Sequence, residues 1–173
     1  MNSLDQPELP LYLDTTVLWR ERLIAGLRAT FPDRALCVPA IAHLERVRQL
    51  RLEWEDNFDP AEIRSFIGTH DLTLVPLDQQ VADQIAKMAE WVEQHGQKWI
   101  PEWPAQRTDV AKNPCGQRCR LGDYAIAATA KVHGGILLSD DELLRTASNE
   151  HPDLFPETVS SAQADVLLKK GVP

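Results

Sequence analysis

The stretch GDYAIAATAKVHGGILLS, residues 122–139, constrains the fold more than any other part of the chain. Its helical part is small and apolar almost all the way round, so that helix has to be covered on every side. Gly134 and Gly135 then stop it, and ILL reads as a short strand with no polar face. A buried helix feeding a buried strand belongs at the centre of a layered α/β protein.

The rest of the chain repeats this alternation. LPLYLDTTVL, residues 9–18, places Leu9, Leu11 and Leu13 in alternation and then meets Asp14, so a first strand ends at an acid. A helical stripe follows at Leu18, Leu23, Ile24 and Leu27, broken by Pro32 and Asp33. ALCVP is a short strand, and AIAHLERVRQLRLEW is a helix with Pro39 just ahead of its start. Asp59 and Pro60 read as N-cap and first-turn proline of AEIRSFIGTH, and LTLVP as the next strand. Asp78 caps QQVADQIAKMAEWVEQHG, which ends at Gly96. Residues 97–120, with Pro101, Pro104, Pro114 and little periodicity, read as a loop or short-helix insertion, after which Asp123 opens the central helix. DDELLRTA and SSAQADVLLKK supply two last helices. The expected fold is a three-layer α/β/α sandwich around a mainly parallel sheet. It forms one domain over residues 1–173, with an insertion at about 97–120 and a helical tail at about 150–173.

Composition narrows the function classes. With 173 residues, 43% of them hydrophobic, the chain can build a core without disulfides, and it is neither a disordered tail nor a coiled-coil rod. No window has the run of apolar residues a membrane span needs, and the opening MNSLDQPELP is not expected to be a signal peptide. Three cysteines are too few, and odd, for a secreted disulfide framework, so a soluble cytoplasmic protein is expected. The net charge of -8 argues against a protein that grips nucleic acid by bulk positive charge. The charge is uneven, however: residues 11–52 hold seven Lys/Arg against four acids, and residues 53–106 hold three against eleven. Such runs are either solvated helix faces or basic segments that handle phosphates.

In a sheet of this kind ligands sit beyond the carboxyl ends of the strands. Asp14 ends one strand and Ser139-Asp140-Asp141 end another; Glu45 follows a third, and Asp123 begins the helix before the fourth. Four carboxylates converging on one rim repel unless cations neutralise them. Hard oxygen donors suit Mg²⁺ or Mn²⁺, which activate water and shield the charge developing on a phosphate. Each acid also has a plain alternative: Asp123 favouring a helix N-terminus, Asp140 or Asp141 capping the next helix, Glu45 on a solvated face. Asp14 is hardest to dismiss, because an acid in a buried strand needs a reason.

Together, YLDTTVL, VPAIAHLE, LGDYAIAATAKVHGGILL and SDDELL resemble the PIN-domain ribonucleases, the family that includes the toxins of VapBC-type toxin–antitoxin pairs. The blocks span roughly residues 9–146, and the most specific is the run of the last two together: an Asp opening an alanine-rich helix, then a Gly, an apolar strand and a Ser/Thr-x-Asp ending. The resemblance implies that Asp14, Glu45, Asp123 and Asp141 form the catalytic and metal-binding quartet, with one or two Mg²⁺ or Mn²⁺ ions. Glu45 serves there as ligand or as the base that orients water. Ser139 is the small hydroxyl partner of Asp141, and Thr15 and Asp140 support the site; a rival alignment uses Asp140 in place of Asp141. Thr16 stands where the family often has Asn or Ser. The implied activity is hydrolysis of RNA phosphodiester bonds, leaving 5′-phosphate and 3′-hydroxyl ends, and the implied partners are an RNA substrate, a cognate antitoxin and a second copy in a homodimer. A PIN-like module that binds RNA or protein without cutting is the alternative.

Other signals are weaker. Lys112, Arg118 and Arg120 lie before Asp123 with no acid among them, as phosphate contacts or as a solvated loop. Cys115-x-x-x-Cys119 lacks the second pair a structural zinc site wants, so zinc is not expected. Cys37 belongs to the core and His133 to a helix end. Trp91, Trp99 and Trp103 stack bases or fasten the insertion to the body. The helices at 18–30 and 40–54 serve a dimer face or the core. A dehalogenase-type phosphatase needs an acid where Thr16 stands, and a phospho-receiver needs its acidic pair at the first strand.

Overall fold

The computed structural model describes residues 6, 8–54, 59–95 and 114–170, without the side chains at 54, 60, 92–95, 114–121, 167 and 170. Five strands, β1 (Leu11–Leu13), β2 (Leu36–Pro39), β3 (Thr73–Val75), β4 (Ile136–Leu138) and β5 (Thr158–Val159), lie in the order β3-β2-β1-β4-β5. Every neighbouring pair is parallel. Among the described residues seven helices flank this sheet, as a parallel sheet requires. They are α1 (Glu21–Thr30), α2 (Ala40–Trp54), α3 (Pro60–Thr69), α4 (Gln79–His95), α5 (Pro114–Val132), α6 (Glu142–Glu150) and α7 (Ser161–Lys170). The architecture is the three-layer α/β/α sandwich that the alternating pattern predicts.

The core follows from the strands. β1, β2 and β4 are buried along their whole length, and Leu13 stands beside Leu138 in register. Tyr124 to Ala130 of α5 are buried without interruption, and this helix packs on α4, on α2 and on strands β2 and β4. Gly134, with φ +67, closes α5 in the left-handed conformation that a side chain would resist. Gly135 is needed for a different reason: a Cβ there would stand 2.7 Å from the Pro10 carbonyl oxygen and inside the Tyr12 ring. Asp59 caps α3 through Ala61 N–H at 2.8 Å, and Asp78 accepts from Val81 N–H at 2.8 Å.

Three expectations change. α5 starts at Pro114, so residues 114–120 form its first turns and do not belong to an insertion. Proline suits the first helical turn, and Gly122 does not break a helix held on both sides. Asp123 therefore sits in the middle of α5 and does not open it. The tail also holds a fifth strand, two residues long, too short to leave any periodic signal. β3 is an edge strand with Thr73 and Leu74 exposed.

Candidate active site

The strand order reverses between β1 and β4. β2 and β3 build outward on one side and β5 on the other, so the crevice beyond the carboxyl ends of β1 and β4 is where a ligand fits. The ladder continues past both strands into this crevice: Asp14 N–H donates to Leu138 O at 3.0 Å, and Ser139 N–H to Val159 O at 2.9 Å. Asp14 is 2% exposed. Its carboxylate accepts from Thr15 N–H at Oδ1 (2.6 Å), and at Oδ2 from the Thr16 hydroxyl (2.9 Å) and the Ser139 hydroxyl (2.5 Å). A carboxylate has about four acceptor positions, so these three donors leave roughly one, on Oδ1.

Ser139, fully buried, also accepts from Asp141 N–H at 3.0 Å. Asp141 caps α6, its Oδ1 accepting from Leu143 N–H at 2.7 Å and Leu144 N–H at 3.2 Å. Asp141 nevertheless stands close enough for its charge to act on Asp14. Asp140 turns the other way, to Arg20 at 2.6 Å and to Ser161 at 2.9 Å.

The opposite wall comes from helices. Glu45, one turn into α2, is half-buried, and its Oε2 accepts from the Thr15 hydroxyl at 2.8 Å. Its carboxylate lies in the space left by Gly122 of α5: a Cβ there would overlap Oε1 and reach 3.0 Å from Cδ. Asp123 is the next residue of α5 and is half-buried.

Burial raises the Asp14 carboxyl above its ordinary range; the hydrogen bonds from Ser139, Thr16 and Thr15 oppose this, and the Asp141 charge adds to it. Burial also raises Glu45; the Thr15 bond and Arg48 pull it down, and the Asp14 charge pushes it up. The carboxylates thus strain against one another, and no ion pair among the described residues neutralises Asp14.

Among the described residues no group of three or more His, Cys, Asp or Glu side chains stands close enough together to hold a metal ion by itself. Mg²⁺ and Mn²⁺ do not need one, since a few carboxylates, waters and substrate phosphates complete their coordination. An all-oxygen donor set, buried negative charge and the remaining lone pair on Asp14 fit such a cation.

Lys112, Trp99 and Trp103 lie outside the described residues, as do the side chains of Arg118, Arg120, Cys115 and Cys119. Cys37 is a buried free thiol. His133 faces Asp78 at 3.6 Å. Trp91 packs its ring 4.1 Å from His151 and 6.1 Å from Phe155, fastening α4 to the segment before β5. Two residues the sequence reading does not single out touch the candidate site residues. Gly122 makes room for Glu45, and Arg20 holds Asp140; their adjacency in the chain to Asp123 and to the turn after Asp14 was the sole available signal.

No protein-family model matches the chain, and no curated protein matches it in sequence. Solved structures do match in shape. VapBC-1 from nontypeable Haemophilus influenzae aligns with TM-score 0.58 and 16% identity over 89% of this chain and 99% of that one. DNA-bound VapBC from Salmonella typhimurium aligns with TM-score 0.55 and 15% identity, covering 88% and 98%. VapBC2 from Rickettsia felis, bound to a DNA fragment from their promoter, gives TM-score 0.55 and 11% identity over the same shares. The chain has a PIN-like fold. At these identities the likeness is one of fold, and the chemistry has to be argued from the PIN-like rim itself.

Proposed function

We propose that this PIN-like chain is a metal-dependent endoribonuclease and the toxin of a toxin–antitoxin pair. The observation that carries the proposal is Asp14: a buried carboxylate, held by three donors and in no ion pair among the described residues, at the reversal point of the sheet beside Asp141 and Glu45. Asp14, Asp123, Asp141 and Glu45 would hold one or two Mg²⁺ or Mn²⁺ ions. Such an ion, when bound, supplies positive charge that makes water acidic and offsets the charge growing on an RNA phosphate. The chain's own residues do the placing. Thr15, Thr16 and Ser139 fix both oxygens of Asp14 before substrate arrives, so little reorganisation remains during the reaction. Glu45, tied through Oε2 to Thr15, keeps Oε1 in the Gly122 recess to orient a water and take its proton. Burial raises its carboxyl above the ordinary range, which is the direction a general base needs.

The VapBC name of the fold neighbours supports a partner protein; the partner proposed here covers the rim and places a cation such as Arg among the carboxylates. Among the described residues no helix is long and apolar enough to cross a membrane, and the proposed place of action is the cytoplasm, on RNA.

The test is cleavage of a panel of structured RNAs with Mg²⁺ or Mn²⁺ and with EDTA, beside the double variant Asp14→Asn/Asp123→Asn. Metal-dependent cutting that the variant lacks, leaving 5′-phosphate ends, is expected. No cutting together with no metal uptake by calorimetry would leave a binding module. Growth arrest on expression alone, relieved by a co-expressed neighbouring gene, is expected of a toxin.

A further inference from the structure

Asp140 closes a small polar triangle at the edge of the rim. Its Oδ2 meets Arg20 Nη2 at 2.6 Å and accepts from the Ser161 hydroxyl at 2.9 Å, while its Oδ1 accepts from Ser161 N–H at 2.9 Å. Arg20 Nη1 completes the triangle by donating to Ser161 Oγ at 2.6 Å. The triangle does not end there. Asp140 N–H donates to Thr16 Oγ1 at 3.2 Å, and that same hydroxyl donates to Asp14 Oδ2 at 2.9 Å.

Three segments distant in sequence are thereby joined: the turn after β1, the turn after β4 and the first turn of α7. Helix α7 is fastened independently further along. Ala164 is buried, and Gly26 of α1 admits Leu168 so closely that a Cβ would stand 2.8 Å from its Cδ1. The Arg20 side chain is half in water, at 51% exposure, and an ion pair in that setting contributes little to stability. Its consequence is geometric, because each bond removes freedom from a turn that carries a rim residue.

We propose that Asp140 is a positioning residue for the rim: through Arg20, Ser161 and its own N–H it clamps the two strand-end turns to α7 and holds Thr16 where it orients Asp14. The tail helix, which no sequence motif covers, is then part of the scaffold of the site. This rests on the ribonuclease reading, and it separates Asp140 from the four acids: Asp140 acts through Thr16 and Asp14 and needs no contact with ion or substrate.

The experiment measures cleavage of a fluorogenic RNA by the full chain at saturating Mn²⁺. It compares wild type, Asp140→Ala, Asp140→Asn and Arg20→Gln at a temperature where circular dichroism shows each folded, and adds amide hydrogen exchange over residues 14–18. Asp140→Ala is expected to lower kcat about ten-fold with KM held within about two-fold, as for a small misplacement of a catalytic group. Asp140→Asn keeps an acceptor for Ser161 and is expected to lose at most about three-fold. Arg20→Gln approaches the clamp from the other side and is expected to lower kcat in the same way. Exchange over residues 14–18 is expected to quicken in Asp140→Ala.

Wild-type kcat in Asp140→Ala would overturn the proposal. So would an Asn variant as inactive as the Ala variant with a raised Mn²⁺ requirement, which marks a ligand. If wild type cuts nothing, the ribonuclease reading falls, and exchange still decides on the clamp: unchanged protection over residues 14–18 in Asp140→Ala overturns it, and faster exchange upholds it.

Discussion

The two walls of the rim are built on different principles. On the strand side, Asp14, Ser139 and Asp141 sit on backbone that the sheet ladder itself extends, through Asp14 N–H to Leu138 O and Ser139 N–H to Val159 O. Three donors then fix the Asp14 carboxylate. On the helix side, Glu45 reaches in from α2 on a longer side chain, held by one hydroxyl and by the absence of a Cβ at Gly122. In the proposed ribonuclease the carboxylate that places charge is mounted on the sheet, and the proposed base is mounted on a helix, with its carboxylate seated in the space left by Gly122. Rigid mounting suits charge placement, which is worth most when it costs no reorganisation.

The largest expected effect tests the strand side. Asp14→Asn should lower metal-dependent RNA cleavage by at least about a hundred-fold, the order expected when several kcal/mol of charge stabilisation is lost. Cleavage at the wild-type rate would show that this wall is not the reacting one. Gly122→Ala tests the helix side. The new methyl group displaces the Glu45 carboxylate from Thr15, and a shift of about 1 Å can cost up to about a hundred-fold in rate. Alanine is also the better helix former by about 1 kcal/mol, so activity is expected to fall about ten-fold or more while thermal stability holds. A fall in stability without a fall in rate would mean that the recess serves packing.

How far each wall could be read from the sequence follows the same division. Strand-end acids are legible because a carboxylate in an apolar run is anomalous wherever the strand lies. Asp14 stood out for that reason, and the ladder places Ser139 beside it. The capping of α3 by Asp59 was legible too, since the capping bond spans only two residues. The helix wall was harder. Asp123 reads as the opening of a helix because the proline-bearing segment before it, residues 97–120, shows little periodicity, whereas α5 starts at Pro114. What keeps Gly122 helical is packing of α5 against α2 and α4, and packing leaves no local pattern in a sequence. The link from Asp140 to Arg20 and Ser161 was equally hidden, because it joins residues about 20 and 120 positions away. Strand β5, two residues long, owes its existence to pairing with β4.

A smaller effect separates holding from charge. Ser139→Ala removes the buried hydroxyl between Asp14 and the Asp141 backbone, leaving Asp141 N–H without its acceptor. Such a loss costs about 1–3 kcal/mol, to be measured by urea unfolding of the cation-free chain. Thr15→Val, on the helix side, deletes one half-buried bond to Glu45 and should cost about 0.5–1.5 kcal/mol. Equal costs for the two would erase the distinction between the walls.

The finest test is the pH dependence of stability without divalent cations. In the folded chain burial raises the Asp14 carboxyl, so it keeps its proton to higher pH than in the unfolded chain. Between the ordinary carboxylate range and that raised value the folded state binds more protons, and stability falls as pH rises through the window. The penalty is absent in acid, where both states are protonated, and fully present above the raised value. Asparagine carries no such penalty. The difference in unfolding free energy between wild type and Asp14→Asn should therefore move against wild type as pH rises from acid toward neutrality, then level off. Added Mn²⁺ should reverse the trend for wild type alone, because an ion on Asp14 favours the ionised, folded form. A difference that does not vary with pH would mean that the three donors already offset the burial of Asp14. The strand wall would then hold a settled charge with no need of a cation.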